Sequence, residues 1–539
     1  MALRSVLLPW LLAASTVAAG TTVDEVIRAE IEEMRLAADR LVAGERVTGG
    51  ELLMTLYEQG TFQPLWSRSE RRQALLRSIL GAEADGLDRR DYHWQALEHL
   101  EASPAPPLAG DARTVGQQDI LLTDALLRLI THLRLGKVDP VSLDPAWNLP
   151  RGDDPLPADQ TAAALLVAGD LETAIDALRP TLPYYRDLKT ALARYRGLAA
   201  AGGWPLLPDG PTLRLGDRGQ RVLALRARLA VTDPMVGEPV DPALFDAELH
   251  SAVNRFQRRH GLEVDGAVGR GTRAALNVPV AERIEQLRIN LERARWVLQD
   301  LDPEFVLVDI AGFSVLYVRD AEVLWRSRAV VGRSYRKTPI FRGEMRYLVL
   351  NPTWTIPPTI VAEDVLPAVK RDPSYLAARN IRVLDANGRA LNPATVDWAR
   401  YGGRDFPYLL RQEPGPDNAL GRIKFMFPNR YHVYLHDTPS REPFGRAGRA
   451  FSSGCIRVER PLELAELVLG DPRRWSATLL AAFIAQGKTR TIHLPRPLPV
   501  LLLYWTATVG EDGEISFRPD IYDRDPPLRA ALNATFEEW

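Results

Sequence analysis

The chain has 539 residues, with 67 lysines and arginines against 69 aspartates and glutamates, for a formal net charge of −2. This balance argues against an anionic membrane surface or a nucleic acid as a partner, and we expect no nucleic-acid binding. A single cysteine excludes an internal disulfide, so stability must come from hydrophobic cores, for which the length is ample.

The first twenty residues, MALRSVLLPWLLAASTVAAG, have the layout of a cleavable secretory signal. An apolar run from Val6 to Ala14 is well short of the ~20 residues that a membrane-spanning helix needs. Small residues follow, and we expect cleavage after Ala19. Residues 1–19 are therefore predicted to be a signal peptide, and the mature protein to be exported and periplasmic.

A helical scaffold is predicted over residues 20–210. It opens with a capping box formed by Thr22 and Glu25. Apolar residues then mark one helical face at Ile27, Ile31, Met34 and Leu41. Further helices are predicted at 50–59, 71–82, 117–135 and 158–178. No metal-ligand spacing is present, and we interpret three scattered histidines as surface or packing residues: His93, His99 and His132.

A compact module of about three short helices is predicted over residues 211–278. One helix carries a stripe formed by Phe245, Leu249, Val253 and Phe256. The stretches AVNRFQRRHGL, VDGAVG and GTRAAL resemble the peptidoglycan-binding module of bacterial wall enzymes. That resemblance implies binding to glycan strands, and the alternative is a helical spacer without a ligand.

Residues 279–302 are predicted to hold a linking helix of the scaffold, with one apolar face formed by Ile284, Leu287, Leu291, Ala294 and Leu298. Strand-like sequence follows. FVLVDIAGFSVLYVRDAEVLWRSRAVVG alternates through Phe313, Val315 and Tyr317 and turns at 319–322. MRYLVLNPTWTIPP and RYHVYLHDTP are predicted as further strands, and the polar segment 360–418 between them as an inserted cap of helical and turn segments.

The lone thiol, Cys455, lies in the run FSSGCIRVERP. An ordinary thiol is only a few per cent thiolate at neutral pH, so a nucleophilic cysteine needs a basic partner. His436, upstream at the end of a predicted strand, is the candidate base. Gly454 would let backbone N–H groups face a developing oxyanion, and Arg457 is suited to meet a carboxylate.

The wider stretch YHVYLHDTPSREPFGRAGRAFSSGCIRVERP resembles the catalytic (YkuD-type) domain of L,D-transpeptidases. NPTWTIPP and VVGRSYRKTPIF also resemble this family, and the scaffold, wall-binding module and cap resemble its large YcbB-like branch. The resemblance implies that Cys455 is the nucleophile and His436 the base. It implies a loop shaping the acyl site at Ser452, Ser453, Gly454 and Arg457, and cleft aromatics at Trp354 and Tyr434.

One position departs from the family pattern, because Ser453 stands where most members have a second histidine. The sequence does not determine how this serine changes the orientation of the loop. What orients His436 is also open, with a backbone carbonyl and Asp437 as the two candidates. The papain-like and NlpC-type peptidases place cysteine before histidine, and the downstream His493 is interpreted as an ordinary strand residue.

The predicted fold class is multidomain α+β: a helical scaffold, a small three-helix module, and a mainly β catalytic domain with a cap. The remaining domain boundaries are predicted at 303–497 for the catalytic domain and 498–539 for a C-terminal segment.

The family implies acyl transfer on peptidoglycan stem peptides. The sulfur would attack the carbonyl of the third stem residue, expel D-alanine, and pass the acyl group to an amine of a second stem. No metal or organic cofactor is expected, other wall-synthesis enzymes are possible partners, and carbapenems are expected to acylate the thiolate. The alternatives are a lipoprotein lysine or water as acceptor, and a murein-binding protein without catalysis.

Overall fold

The computed structural model describes residues 21–37, 40–100, 111–145, 147–149, 158–233, 239–299, 301–402, 405–510 and 513–536. The predicted signal peptide lies outside these ranges. The chain divides into two compact units: residues 1–137, 153–179 and 534–539 form the first, and 138–152 with 180–533 form the second. Within the described residues, no helix has both the length and the apolar character for crossing a bilayer.

The first unit is helical. Its elements are α1 (Val23–Leu36), β1 (Leu41–Val42), β2 (Glu45–Arg46), α2 (Gly50–Gln59), α3 (Ser69–Gly81), α4 (Trp94–Leu97) and α5 (Ala112–Leu135). After α6 (Pro140–Leu143), which belongs to the second unit, it is completed by α7 (Ala158–Val167) and α8 (Leu171–Asp176). The capping box of α1 is confirmed. The prediction for Leu41 is wrong, because α1 ends at Leu36 and Leu41 lies exposed in β1.

The histidines of this unit make packing contacts. The carboxylate of Asp124, buried in α5, accepts hydrogen bonds from Nε2 of His93 at 2.7 Å and Nε of Arg128 at 2.7 Å. It also accepts from the backbone amides of Thr48 and Gly49. A buried carboxylate needs such partners, so this network serves to satisfy a polar group inside the core.

The second unit begins with α6 and continues with α9 (Pro183–Ala200), α10 (Gln220–Ala230), α11 (Ala247–Arg259), α12 (Arg270–Leu276) and α13 (Val280–Val297). The three helices α10 to α12 enclose their own core, in which the predicted stripe is buried: Phe245, Leu249, Val253 and Phe256. The three-helix module is therefore confirmed. Helix α9, predicted within the scaffold, packs instead with α13 and the β domain in the second unit.

The β domain is a closed ring of strands. Its members are β3 (Glu304–Asp309), β4 (Ser314–Arg319), β5 (Glu322–Gly332), β6 (Phe341–Leu350), β11 (Ile423–Met426), β12 (Leu435–His436), β14 (Ile456–Val458) and β15 (Arg490–Leu503). Neighbouring strands pair in the order β5, β14, β12, β11, β6, β15, β3, β4, and β4 pairs with β5 to close the ring. The predicted turn at 319–322 is confirmed, since Arg319 pairs with Glu322.

The segment RYHVYLHDTP contributes only the two residues of β12, which is far shorter than predicted. Strand β13 (Ala450–Ser452) pairs with β5, and α17 (Pro461–Leu469), α18 (Pro472–Trp475) and α19 (Ala477–Ala485) follow β14. Strand β15 runs across the boundary predicted at residue 497, because its apolar half packs against β3 and β6. The chain continues with β16 (Ala507–Val509), β17 (Ile515–Phe517) and α20 (Asp525–Asn533).

The cap lies between β6 and β11. It contains β7 (Trp354–Thr355), α14 (Pro358–Ile360), a π-helical turn at Val361–Val365, α15 (Leu366–Arg371), α16 (Tyr375–Ala378), β8 (Ile381–Leu384), β9 (Ala390–Leu391) and β10 (Leu409–Gln412). Its four strands form a separate sheet over a core of its own. This sheet is absent from the prediction, which had only helical and turn segments for the cap.

Candidate active site

Three adjacent strands of the ring bring the predicted residues into one row. Lys424 in β11 pairs with His436 in β12, and His436 pairs with Arg457 in β14. Paired residues of neighbouring strands project from the same face of a sheet. The alternate residues of these strands are buried in the ring's core: Ile423, Phe425, Leu435, Ile456 and Val458. Lys424, His436 and Arg457 therefore lie together on the outer face.

Cys455 joins this face because it precedes β14 and lies two residues before Arg457. Tyr434 bears the same relation to His436, and the rings of Tyr434 and His436 are 5.7 Å apart. The amide of Ile456 donates to the carbonyl of Tyr434 at 3.1 Å, which holds the two segments side by side. The predicted nucleophile and base thus come from adjacent chain segments and share one face.

The loop that carries Cys455 is held by side-chain hydrogen bonds. The buried hydroxyl of Ser452 accepts from the amide of Gly454 at 3.1 Å and donates to the carbonyl of Cys455 at 2.6 Å. Thr338 Oγ1 donates to the carbonyl of Gly454 at 2.8 Å. Gly454 has φ of 114°, a conformation that L side chains rarely adopt. Ser452 and Gly454 therefore fix the shape of the loop.

The backbone amide that is free to meet an oxyanion belongs to Cys455. The N–H of Gly454 is engaged by Ser452 and is not free to meet an oxyanion. In the described part of the chain, the amide of Cys455 has no hydrogen-bond acceptor. A free N–H beside the attacking sulfur is a suitable donor to a developing negative charge, so Cys455 itself is the better candidate.

The C-terminal segment supports the loop of Cys455 through Tyr522. Tyr522 is fully buried, and its hydroxyl donates to the carbonyl of Gly332 at 2.6 Å and accepts from the amide of Thr338 at 3.1 Å. Nζ of Lys337 donates to the carbonyl of Tyr522 at 2.7 Å. The sequence-based prediction assigned no role to this segment. Tyr522 therefore supports the end of β5 and the segment that follows it, and Thr338 in that segment bonds to the loop of Cys455.

The thiol of Cys455 is half-buried and free. Burial raises its pKa, while hydrogen bonding from Tyr434 and the charges of Lys424 and Arg457 act in the opposite direction. Sγ lies 3.7 Å from the carbonyl oxygen of His432, to which it can donate. A thiol with a raised pKa is protonated at neutral pH, and its activation requires a base.

His436 is oriented by a backbone carbonyl. Its Nδ1 donates to the carbonyl oxygen of Asp437 at 2.5 Å, which leaves Nε2 of the neutral ring as the proton acceptor. The Asp437 carboxylate is engaged elsewhere, by Arg441 at 2.7 Å and by the amide of Arg422 at 2.8 Å. Of the two candidates that the sequence left open, the carbonyl is the one observed.

Burial lowers the pKa of His436 to about 3, and the positive charges of Arg457 and Lys424 act in the same direction. The imidazole is therefore neutral at physiological pH. Among the hydrogen bonds of the described residues, none joins Sγ of Cys455 to this ring. Catalytic hydrogen bonds often form only when substrate binds, so the shared face is the more informative observation.

Two cations of the row lack a hydrogen-bond acceptor among the described residues. Among the described residues, neither Nζ of Lys424 nor the guanidinium of Arg457 has a hydrogen-bond acceptor, and Nε of Arg457 is buried without one. Nζ of Lys424 lies 3.8 Å from the ring centroid of Tyr434. Sequence reasoning missed Lys424, although a lysine within the apolar strand segment IKFMF is a usable signal.

The cleft aromatics meet beside the sulfur. Burial raises the pKa of Tyr434 far above its usual range, and the neighbouring Cys455 acts in the same direction. A hydrogen bond with Trp354, from strand β7, acts in the opposite direction on the same hydroxyl. The hydroxyl of Tyr434 therefore interacts with both Cys455 and Trp354, and that the two aromatic residues line a substrate cleft stays a prediction.

Ser453 connects the loop to the cap through an arginine. Nη1 of Arg336 donates to the hydroxyl of Ser453 at 2.7 Å and to the carboxylate of Asp364 at 3.0 Å. The same guanidinium contacts Glu363. Both acids belong to the π-helical turn of the cap. Ser453 is thus part of a polar bridge between the loop and the cap.

The side chain of His493 lies outside the site. His493 is exposed in β15, where it pairs with Tyr347, and the two tilted rings have their centroids 5.5 Å apart. A search of the described residues finds no group of histidine, cysteine, aspartate and glutamate that could hold a metal ion.

Comparison with known proteins divides the chain into recognised parts. Residues 303–491 match the family model of the L,D-transpeptidase catalytic domain. Residues 218–276 match the model described as "Putative peptidoglycan binding domain", and residues 51–192 match a model described as "Scaffold domain".

Two curated proteins are similar over part of the chain. A Haemophilus influenzae protein named "Putative L,D-transpeptidase" is 37% identical over 250 residues, which cover 46% of this chain and 49% of that protein. The N-acetylmuramoyl-L-alanine amidase CwlM of Mycobacterium tuberculosis is 42% identical over 80 residues, covering 13% of this chain and 20% of that protein. The chain thus spans about half or less of the relatives that it matches.

A solved L,D-transpeptidase from Xylanimonas cellulosilytica is 16% identical, and the match covers 55% of this chain and 100% of that one. Its TM-score is 0.18, which supports no conclusion about the fold.

Proposed function

We propose that the chain is a cysteine-dependent L,D-transpeptidase that acts on peptidoglycan stem peptides, because residues 303–491 match the family model of the L,D-transpeptidase catalytic domain. The observation that carries the proposal is the single face on which Cys455 and His436 meet an unpaired Lys424 and Arg457. A nucleophile, a neutral base and cations for an anionic peptide are what acyl transfer from a stem requires.

In the first half of the reaction, Sγ of Cys455 bonds to the carbonyl carbon of the third stem residue. The thiol proton passes to Nε2 of His436, and the amide of Cys455 donates to the oxygen that becomes negative. The bond to the terminal D-alanine then breaks, and its nitrogen takes the proton from His436. The product is a thioester on Cys455 and free D-alanine.

In the second half, the side-chain amine of another stem attacks the thioester carbonyl. Its proton passes through His436 to the departing sulfur, which restores the thiol and leaves an amide between two third-position residues. Atoms and charge balance without a metal or an organic cofactor. The cap is proposed to order the donor stem and to keep water from the thioester.

We also propose that the protein is exported to the periplasm by residues 1–19, and that residues 211–278 contact glycan strands. The match of residues 218–276 to a peptidoglycan binding domain supports the second proposal. Association with other wall-synthesis enzymes is a further expectation of this assignment.

The test is product analysis with purified protein and tetrapeptide stems. Mass spectrometry is expected to detect free D-alanine and a dimer joined between third residues. His436→Ala is expected to abolish both products, whereas His493→Ala, which removes an exposed histidine of another strand, is expected to keep them. Trimmed monomers without dimers would indicate water as the acceptor and would contradict the cross-linking proposal.

Acylation by a carbapenem provides a second test of whether the sulfur of Cys455 is the nucleophile. We expect a covalent adduct in the intact mass of the wild-type protein, because a β-lactam carbonyl acylates a thiolate in the same way as a stem carbonyl. The adduct is expected to disappear in Cys455→Ala. An adduct that persists in that variant would assign the nucleophile to another residue, and no adduct in the wild type would favour wall binding without catalysis.

A further inference from the structure

The residue row across β11, β12 and β14 places one cation on each side of the base. Lys424 and Arg457 both pair in register with His436, so their side chains flank the imidazole on the outer face of the ring. Both are half-buried, and the charges of both act on Cys455. The row therefore concentrates positive charge within reach of the sulfur.

This positive charge is not neutralised by the protein. Neither Lys424 nor Arg457 has an ion-pair partner among the described residues. The carboxylate of Asp437, the residue after His436, is engaged by Arg441 and by the backbone amide of Arg422. A third cation, Arg333, also acts on Arg457, and its Nη1 donates to the hydroxyl of Tyr335 at 2.8 Å.

Two half-buried cations without a counter-charge are costly in an unliganded protein, and the cost is relieved when an anion binds. Burial lowers the pKa of both Lys424 and Arg457, as expected when the charged form is held away from water. Buried charges of this kind, beside a reactive thiol and without a counter-charge, are typical of a binding subsite.

We propose that Lys424 and Arg457 form a two-cation subsite that binds a free carboxylate of the donor stem, with Lys424 as a specificity-determining residue. The inference rests on the proposed function and extends it. The sequence already indicated that Arg457 meets a carboxylate. The new element is Lys424, a second cation, and with two cations the subsite requires a ligand that carries a negative charge. Donors that carry an amide at this position are poor substrates.

A bound carboxylate also changes the base. The charges of Lys424 and Arg457 help to keep His436 from accepting a proton, so an anion between them favours the protonated imidazole. The same anion also offsets the effect of the two cations on Cys455, whose thiolate they favour, so a bound carboxylate raises the pKa of both the base and the nucleophile.

A tetrapeptide stem offers two carboxylates of this kind. One is the terminal carboxylate of D-alanine, and the other is the free carboxylate at the D-centre of the third residue. Both have the same chemistry, and the donors in the test separate them: a stem amidated at D-alanine, a stem amidated at the third residue, and the stem with both carboxylates free.

The test measures the rate of acylation and of D-alanine release for these donors with the wild type and with Lys424→Met, which keeps an unbranched apolar stem and removes the charge. The wild type is expected to prefer a free carboxylate by about 10- to 100-fold in kcat/KM over the amide at one of the two positions. Lys424→Met is expected to lose most of this preference, and Lys424→Arg to retain it.

Lys488→Met is the matched control, because Lys488 is exposed and lies outside the site. Melting temperatures of all variants show whether the fold is intact. Wild-type discrimination that survives unchanged in Lys424→Met, or equal rates for all three donors in the wild type, would overturn the inference.

Binding measured in the Cys455→Ala background separates the inference from the proposed function. Calorimetry is expected to give a tighter Kd for the free carboxylate than for the amide, and no such difference when Lys424→Met is added. If donors bind with this difference but never acylate the wild type, the proposed function fails and the subsite stands. If acylation proceeds without the difference in binding and rate, the subsite fails and the function stands.

Discussion

At the residue scale, Cys455 and His436 are a neutral pair before substrate binds. Burial raises the pKa of the thiol and lowers that of the imidazole to about 3, so neither group is charged between pH 5 and 8. This differs from cysteine enzymes in which a thiolate and an imidazolium coexist at rest. Lys424 and Arg457 favour the thiolate, but burial outweighs them.

Alkylation by iodoacetamide tests this charge state. A thiol whose pKa is raised is mostly protonated at pH 7, and its thiolate fraction grows as the pH rises toward and beyond its pKa. We therefore expect the alkylation rate of Cys455, followed by intact mass, to climb continuously from pH 6 to pH 10. Lys424→Met is expected to be slower at every pH below the plateau, because loss of a nearby cation raises the thiol pKa further.

The exposed Lys488→Met variant is expected to follow the wild-type profile. A rapid rate that is constant between pH 5 and 8 would contradict this account, since it would require a thiolate–imidazolium pair in the resting protein.

The predictability of these residues follows from their chemistry. Cys455 is the lone thiol of the chain, and His436 precedes it at the end of a strand, so both could be selected from the sequence. The role of the Cys455 amide could not be selected from the sequence, because only the folded loop shows that Ser452 bonds to the amide of Gly454 and not to that of Cys455. The position of Lys424 beside His436 depends on strand register, which is set by the folded sheet.

At the scale of elements, the contact between the cap and the loop of Cys455 depends on Arg336. Its guanidinium joins Ser453 of the loop to Glu363 and Asp364 of the cap. Both acids are about half exposed, so the ion pairs contribute little to global stability. Their value is local, because they hold the π-helical turn against the loop.

Replacement of Arg336 tests this bridge. Arg336→Ala is expected to lower the free energy of unfolding by less than about 1 kcal/mol. It is expected to increase hydrogen exchange in residues 358–371 and to weaken donor binding, seen as a higher KM for acylation. Arg371→Ala removes an exposed arginine of the same cap whose Nε bonds only within its own helix, to the carbonyl of Pro367, and serves as the control.

Unchanged exchange in residues 358–371 of Arg336→Ala, together with an unchanged KM, would show that the cap is held by other contacts. A large loss of global stability would also contradict this account, since exposed ion pairs do not have that effect.

Elements with strong periodicity were predictable, and those defined by long-range pairing were not. Helices α2 and α13 appear close to their predicted bounds because their apolar residues repeat at helical spacing. The cap sheet was missed, since its strands have two to four residues and β10 pairs with β7 and β8 across long intervals of the sequence. The hairpin of β8 and β9 does have a local signal, the turn at Asn387 and Gly388, which the prediction did not use. Strand β12 was overestimated for the related reason that only two residues find partners.

At the scale of the whole molecule, the catalytic ring, the cap, the three-helix module and α9 belong to one compact unit. The multidomain α+β class, with a helical scaffold, a wall-binding module and a β catalytic domain, agrees with the sequence-based prediction. The division of the scaffold between two units was not predictable from helical periodicity, because the packing of α9 on α13 is a tertiary contact between distant segments.

The intact mass of the protein after incubation with a donor tetrapeptide tests the central claim most directly. The account predicts an increase equal to the stem less its terminal D-alanine, located on the peptide that contains Cys455, sensitive to hydroxylamine and missing in Cys455→Ala. An unchanged mass under conditions in which the protein is folded, or an adduct on any other residue, would contradict it.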